Sequence, residues 1–461
     1  MTMNRRCLRL APMWWVSWLL FGAVMAAVGV VSARRLRGYD GYLTAGRAHG
    51  PGGIALSIAA TAIGATATVG LMDRAAQTGW SAFWFMAAAA LGLALQGVTV
   101  ASRIRESGVR TFGELVERFL GRSFQIAVSI LILFGWTWIV AAQFKAAGEL
   151  AAVWGGAGTF RTGAGLAALF ILAYTLPAGQ RAVIATDAVQ WVLLVFGVLV
   201  AAGVSSRLSL TGERMTSAAS THAFGGREVL HHLLVVGGLY VLSPNLVSRS
   251  VAARDGMSAR WGALGAAPML AAVSGLVVWT GSRAAAGGVV PPIFPSLLRQ
   301  AGEVWKWGLG IGILAAIVSS ADTTLLVTAS IAQNDLVRRP SVAGVRLWET
   351  GIALGALVLV LLAPKATLFD FLFAAYEMFT PAVVPLLAVA LYARRGVEPV
   401  FAWGAFGCGA LAGLYGPAAA LARRLGLGSD WPARESVVTV GFLVALLLAG
   451  LGAWRAMRRA P

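Results

Sequence analysis

The densest set of chemistry-bearing side chains lies inside an apolar stretch, at Ala315-Ala316-Ile317-Val318-Ser319-Ser320-Ala321-Asp322-Thr323-Thr324. Ala316, Ser319 and Ser320 are spaced i, i+3 and i+4, so a helix puts them on one face. A desolvated hard cation needs several oxygens, from hydroxyls, carboxylates or carbonyls. Adjacent serine hydroxyls, with carbonyls released where a neighbouring helix is interrupted, would supply them. An isolated pair of hydroxyls would bond back to its own helix, but Ser319, Ser320, Thr323, Thr324 and Asp322 together exceed what that role needs.

A second constellation is Tyr376-Glu377-Met378-Phe379-Thr380, ahead of Pro381 and Pro385. A carboxylate in mid-membrane costs about 2.5–3.5 kcal/mol or more, so it is expected to face a cavity and to have a partner. Glu377 could bind an amine or cationic solute, carry and relay a proton, or pair structurally, for instance with Lys145. Lys145 and Glu149 are spaced i, i+4, which permits a local pair. Trp136 and Trp138 read as packing or interface anchors. Cys7 and Cys408 are far apart, and His49, His222, His231 and His232 have no metal-ligand spacing. No catalytic constellation stands out, and no cofactor is expected.

The elements that must position these residues are membrane helices. The chain has 461 residues, 58% hydrophobic and 12% charged, with a mean hydropathy of +0.76. Soluble domains carry roughly 25% charged residues. Apolar runs of about 20 residues recur along the chain, the length of a membrane-spanning helix. They lie near 12–31, 52–72, 81–101, 125–150, 162–178, 182–203, 229–247, 262–283, 307–331, 348–363, 370–392, 401–421 and 436–454, about thirteen by hydropathy. The fold class expected is all-α polytopic membrane, one transport domain with no soluble domain. The net charge of +18 sits in short loops, where it orients spans and meets anionic headgroups rather than nucleic acid. Arg5, Arg6 and Arg9 precede the first run, and Arg34, Arg35 and Arg37 close it without a cleavage site, so it reads as a span and not a signal peptide. The loop charges favour an external N-terminus and a cytoplasmic C-terminus, with Arg103, Arg105, Arg110, Arg118, Arg122, Arg338, Arg339, Arg346, Arg455, Arg458 and Arg459 deciding.

Two spans read as interrupted. The second holds Ala59-Ala60-Thr61-Ala62-Ile63-Gly64-Ala65-Thr66, and the seventh holds Gly237-Gly238-Leu239-Tyr240 and Ser243-Pro244. Each begins a possible five-span set, 52–203 and 229–392, after a first segment 1–51 and before two C-terminal spans in 393–461. Interrupted spans at matching positions of inverted halves point to a transporter's central site. Small residues could alternatively serve only close helix packing.

Several stretches, in order, resemble the sodium:solute symporters. They are Leu43-Thr44-Ala45-Gly46-Arg47-Ala48-His49-Gly50-Pro51, Thr111-Phe112-Gly113-Glu114-Leu115-Val116-Glu117-Arg118-Phe119, Ala185-Thr186-Asp187-Ala188-Val189-Gln190, Ser243-Pro244 with Arg249 and Ala252-Ala253, and Ala316 to Thr324. The resemblance runs from about Tyr42 to Tyr392. It implies a LeuT-type core of two inverted five-helix repeats with flanking helices, and sodium-coupled symport of a small polar organic solute of amino-acid, amine or organic-acid type. It also implies a sodium site at Ala60, Ile63, Ala316, Ser319 and Ser320. An aspartate on the family's ion exit route falls on Asp187, which could equally be an ordinary helix-terminal charge. Glu377, Tyr240, Thr380 and Thr61 are the candidate solute contacts. Several contacts of the proline- and sugar-carrying branches are replaced, with Val236, Ser243, Ala62 and Gly79 at those positions. The competing expectations are a proton-coupled transporter of the same fold, using Asp187, Asp322 or Glu377, and a membrane sensor, for which the short tail after the last span leaves no signalling module.

Overall fold

The computed structural model describes residues 7–33, 38–209, 224–363, 365–424 and 432–458. Arg5, Arg6, Arg34, Arg35, Arg37, His222 and Arg459 lie outside them. Among the described residues the chain is helical, with only an isolated bridge between His49 and Ala253.

Helix α1 spans Cys7–Ala33. Helix α2 (Pro51–Ala62) starts on a proline, whose missing N–H is harmless in a first turn. It stops at Ile63 (φ −104°, ψ 72°), and the direction is resumed through Thr66–Gly70 into α3 (Leu71–Thr78). Helix α4 is Phe83–Thr99. Helix α5 (Phe112–Leu120) is capped by Thr111, which accepts the Glu114 N–H. Helix α6 is Arg122–Gly155. Helix α7 (Phe160–Ser206) kinks at Gly179, φ 57°, into two membrane-length pieces, Phe160–Pro177 and Gly179–Ser206. Only glycine suits that position. Its φ is left-handed, and a Cβ would lie 2.7 Å from the Tyr42 carbonyl.

The seventh span runs from α8 (Gly226–His231) through a wide turn into α9 (Gly238–Leu242). Ser243 is extended (φ −72°, ψ 138°), and Pro244 opens α10 (Pro244–Ala252). The residue before a proline is pushed out of the helical region, so the break is written in the Ser-Pro pair. Helices α11 (Gly256–Ala286), α12 (Glu303–Ile331), α13 (Val342–Leu362), α14 (Leu368–Tyr392), α15 (Pro399–Arg424) and α16 (Arg434–Arg458) follow. Asp255 and Ser341 cap α11 and α13, and Thr367 with Asp370 forms a capping box on α14.

Ten helices among the described residues are long and apolar enough to cross a membrane, and Trp18–Ser32 and Pro51–Ala62 are shorter apolar helices. The second expected span falls short because Ile63 and Gly64 interrupt it. Helix α12 is the innermost, with 94% of its most apolar window buried. It packs on α7, α6, α13 and α2. Lipid tails are as apolar as leucine, so such contacts rest on close packing of small residues. Gly197 of α7 and Gly312 of α12 meet this way, a Cβ on the former falling 2.6 Å from the other's Cα.

Candidate functional site

The break in α2 lies directly against the polar cluster of α12. The Ser319 hydroxyl is 3.0 Å from the Ala60 carbonyl oxygen and 3.2 Å from that of Ala316. The Ser320 hydroxyl donates to the Thr61 carbonyl at 2.8 Å. Ala60, Ile63, Ala316, Ser319 and Ser320 are all buried. The helices approach this closely because position 64 has no side chain: a Cβ there would lie 2.5 Å from Ser320 Oγ. The set is hydroxyls and carbonyls without formal charge, a donor chemistry that suits a hard monovalent cation. Among the described residues, no cluster of His, Cys, Asp and Glu could hold a metal ion.

Beside this locus sits a buried ionic network. Arg249 of α10 and Asp187 of α7 are both fully buried and 3.1 Å apart. The same guanidinium donates to Thr61 Oγ1 at 3.1 Å and to Thr323. Asp187 also accepts the Ser57 hydroxyl, and Asp322 accepts that of Tyr174. Asp187 is thus a partnered interior charge and not a helix-end one. Arg249 appeared in the sequence only as part of a resembling stretch, since nothing in one sequence says that an arginine beside a break points inward.

A small central cavity lies between the two breaks. Thr61, Ala62, Gly64, Thr66, Phe85, Trp136, Gln143, Tyr240, Ser243, Asn245, Ser320, Thr324 and Tyr376 are among its walls. Tyr240 donates to the Ala62 carbonyl at 3.3 Å, tying one break to the other. Trp136, expected to be a packing or interface anchor, instead lines this cavity and donates Nε1 to Asn245 Oδ1 at 2.9 Å. Asn245 and Phe85 were not singled out in the sequence, where Gln143 stood out only as a polar member of the fourth span and Thr66 only as part of the interrupted second one.

Of the four candidate solute contacts, Thr61 and Tyr240 line the cavity and Glu377 and Thr380 do not. Glu377 belongs to a separate vestibule of about 740 Å³ that also includes Asp73, Arg74, Lys145, Glu149, His231, Lys365, Arg434 and Glu435. There it is paired with Arg434 of α16 and lies 3.4 Å from His231 Nε2. The partner suggested for it, Lys145, lies 3.0 Å from Glu149 instead. Thr380 is buried beside Gly238 with its hydroxyl unpartnered. Between vestibule and cavity stand Phe85, Phe369 and Phe373, with the Phe85 ring centroid 5.2 Å from that of Phe369 and 5.9 Å from that of Phe373.

Two broken helices around a central cavity, inside a bundle of membrane-length helices, define a multi-pass membrane transporter of LeuT-type architecture. The model of the sodium:solute symporter family matches residues 42–413, and the chain belongs to that family. Among solved structures it is similar to a substrate-bound, outward-open Na⁺-coupled sialic acid symporter, with a TM-score of 0.77 at 16% identity, covering 97% of this chain and 98% of that one. It is also similar to MhsT in complex with L-phenylalanine, with a TM-score of 0.58 at 12% identity over 89% and 99% of the two chains. A nucleobase-cation-symport-1 family transporter, closed around bromovinylhydantoin, gives a TM-score of 0.55 at 16% identity over 91% and 95%. No curated protein matches this chain in sequence.

Proposed function

We propose that this protein is a sodium-coupled symporter that carries a small polar organic solute inward by alternating access, with sodium at Ala60, Ile63, Ala316, Ser319 and Ser320. The observation that carries the reading is the meeting of the Ser319 and Ser320 hydroxyls with carbonyls of broken helix α2, at 2.8–3.0 Å. An ion held there ties α2 to α12 and steadies Thr61 and Ser320, which also face the cavity. Ion and solute sites then share a wall, the simplest basis for coupling. The segments 52–203 and 229–392 are the inverted halves, flanked by 1–51 and 393–461.

The vestibule is the external mouth, and the phenylalanines are a thin lid over the cavity. The opposite face is closed more heavily. Thr111 donates to Asp335 at 2.7 Å, Asn334 to Glu114 at 3.0 Å, and Arg338 pairs with Glu117 at 2.9 Å. That face also gathers the arginine-rich loops, which supports a cytoplasmic assignment and an external N-terminus. Asp187, with Arg249 on it, lies on the inward route of the ion. Each Na⁺ entering down 100 mV releases about 2.3 kcal/mol, enough for roughly 50-fold accumulation at about 1.4 kcal/mol per decade.

The test is uptake by proteoliposomes holding the Ser319→Ala/Ser320→Ala double variant. Sodium stimulation is expected to vanish while the protein still inserts. Undiminished stimulation, or wild-type uptake driven by a pH gradient in sodium-free medium, would sink the reading.

A further inference from the structure

Among the described residues, the walls of the central cavity contain no Asp, Glu, Lys, Arg or His. Nearby charges are engaged elsewhere: Glu377 with Arg434, Lys145 with Glu149, and Arg249 with Asp187. A full charge taken out of water needs a counter-charge or dense hydrogen bonding. The cavity offers hydroxyls, amides and aromatic faces, groups that both donate and accept.

Several of these polar groups are already committed. Asn245 accepts from Trp136 and donates to Thr324, and Tyr240 donates to Ala62. Two remain. The Thr66 hydroxyl is buried on the cavity wall with no partner, and a buried polar group of that kind calls for one. Gln143 accepts the Ala65 N–H through Oε1 at 3.0 Å, which leaves its amide N–H groups for a ligand. The space is small, about 60 Å³, room for a handful of water-sized groups at roughly 10–15 Å³ each.

We propose that the solute is a small uncharged molecule of the amide or polyol class, received by the Gln143 amide N–H and the Thr66 hydroxyl. This rests on the symporter reading of the same cavity and departs from the cationic solute that Glu377 first suggested. Gln143 holds the first break through Ala65 and touches the solute with the other end of the same amide, so solute binding and the position of the break are linked.

The experiment is thermal unfolding of the purified full-length protein with acetamide, glycerol, acetate, ethylammonium or glycine, each with and without sodium. Acetamide or glycerol is expected to raise Tm most. Thr66→Val should weaken that binding about three- to tenfold, the loss of one neutral hydrogen bond, and Thr66→Ser should restore it. Gln143→Glu keeps an acceptor for Ala65 and removes the donor, so neutral binding should fall and ethylammonium binding rise. A largest shift with acetate, ethylammonium or glycine, or no shift with any probe, overturns the proposal. So do Thr66→Val and Gln143→Glu proteins that fold and bind the neutral probes unchanged. Stabilisation by sodium alone, and its loss in Ser319→Ala/Ser320→Ala, is read separately. It reports on the symporter whichever probe binds.

Discussion

Arg249 and Asp187 show what a single buried pair does in this molecule. Both side chains are fully buried and 3.1 Å apart. Arg249 also gathers Thr61 of broken helix α2 and Thr323 of α12, so one guanidinium on α10 ties that helix to α2, α7 and α12 next to the proposed ion site. Removing one member of a buried pair strands the other charge and costs about 3–5 kcal/mol. Arg249→Met is therefore expected to lower unfolding stability by that amount in detergent, and Asp187→Leu by a similar amount. The double variant should recover much of the loss, because no bare charge remains. Chemical or thermal denaturation of all four proteins closes the cycle. Additive losses would mean that the two groups do not act as a pair. Thr61 had been expected only as a solute contact, yet its carbonyl holds Ser320 and its hydroxyl meets Arg249.

At the scale of elements, the site depends on helices that stop. Ile63 leaves helical geometry and Ser243 is extended before Pro244, and these breaks free the carbonyls and open the cavity. Gly64 allows the first break to sit against α12. Gly64→Ala would drive a Cβ to 2.5 Å from Ser320 Oγ and 3.0 Å from Gln143 Nε2. Interiors packed this tightly do not absorb such an overlap without backbone shifts. The expected outcome is loss of most sodium-stimulated uptake, while Gly203→Ala, with open space around it, leaves uptake unchanged. Uptake normalised to membrane protein level measures both, and a fully active Gly64→Ala protein would show that the close approach is not needed.

For the whole molecule, the vestibule is open to one face and the opposite face is tied shut. Gln77 lines the vestibule, and Arg338 lies on the opposite face, paired with Glu117. In a background with Cys7→Ser and Cys408→Ser, a membrane-impermeant thiol reagent added to intact cells should label Gln77→Cys. It should label Arg338→Cys only after permeabilisation. The reverse pattern would invert the assigned orientation and with it the inward direction of sodium. Alternating access predicts further that solute plus sodium protects Gln77→Cys, as the lid closes and the vestibule narrows.

Much of this architecture was legible in one dimension. Membrane helices write themselves as long apolar runs, because every backbone group must be paired within its own segment when no water is present. The runs at 125–150, 262–283 and 370–392 became α6, α11 and α14 with only their ends extended. The breaks were legible too, through Gly64 and Ser243-Pro244, since small residues and proline act on the local backbone. The spacing of Ala316, Ser319 and Ser320 placed them on one face before any partner was known. What sequence could not supply was which face meets which. Glu377 reads as a cation ligand, a proton carrier or half of a structural pair until α16 brings Arg434 onto it. Trp136 reads like an anchor until α6 turns it toward Asn245. Gln143 and Thr66 belong to different spans and acquire a common role only across the cavity. Local backbone physics set the helices, their breaks and the polar face of α12. Lys145 and Glu149 pair locally as their spacing allows, but the partners of Glu377 and Asp187 and the neutrality of the cavity were decided by tertiary packing, because they depend on contacts between residues far apart in the chain.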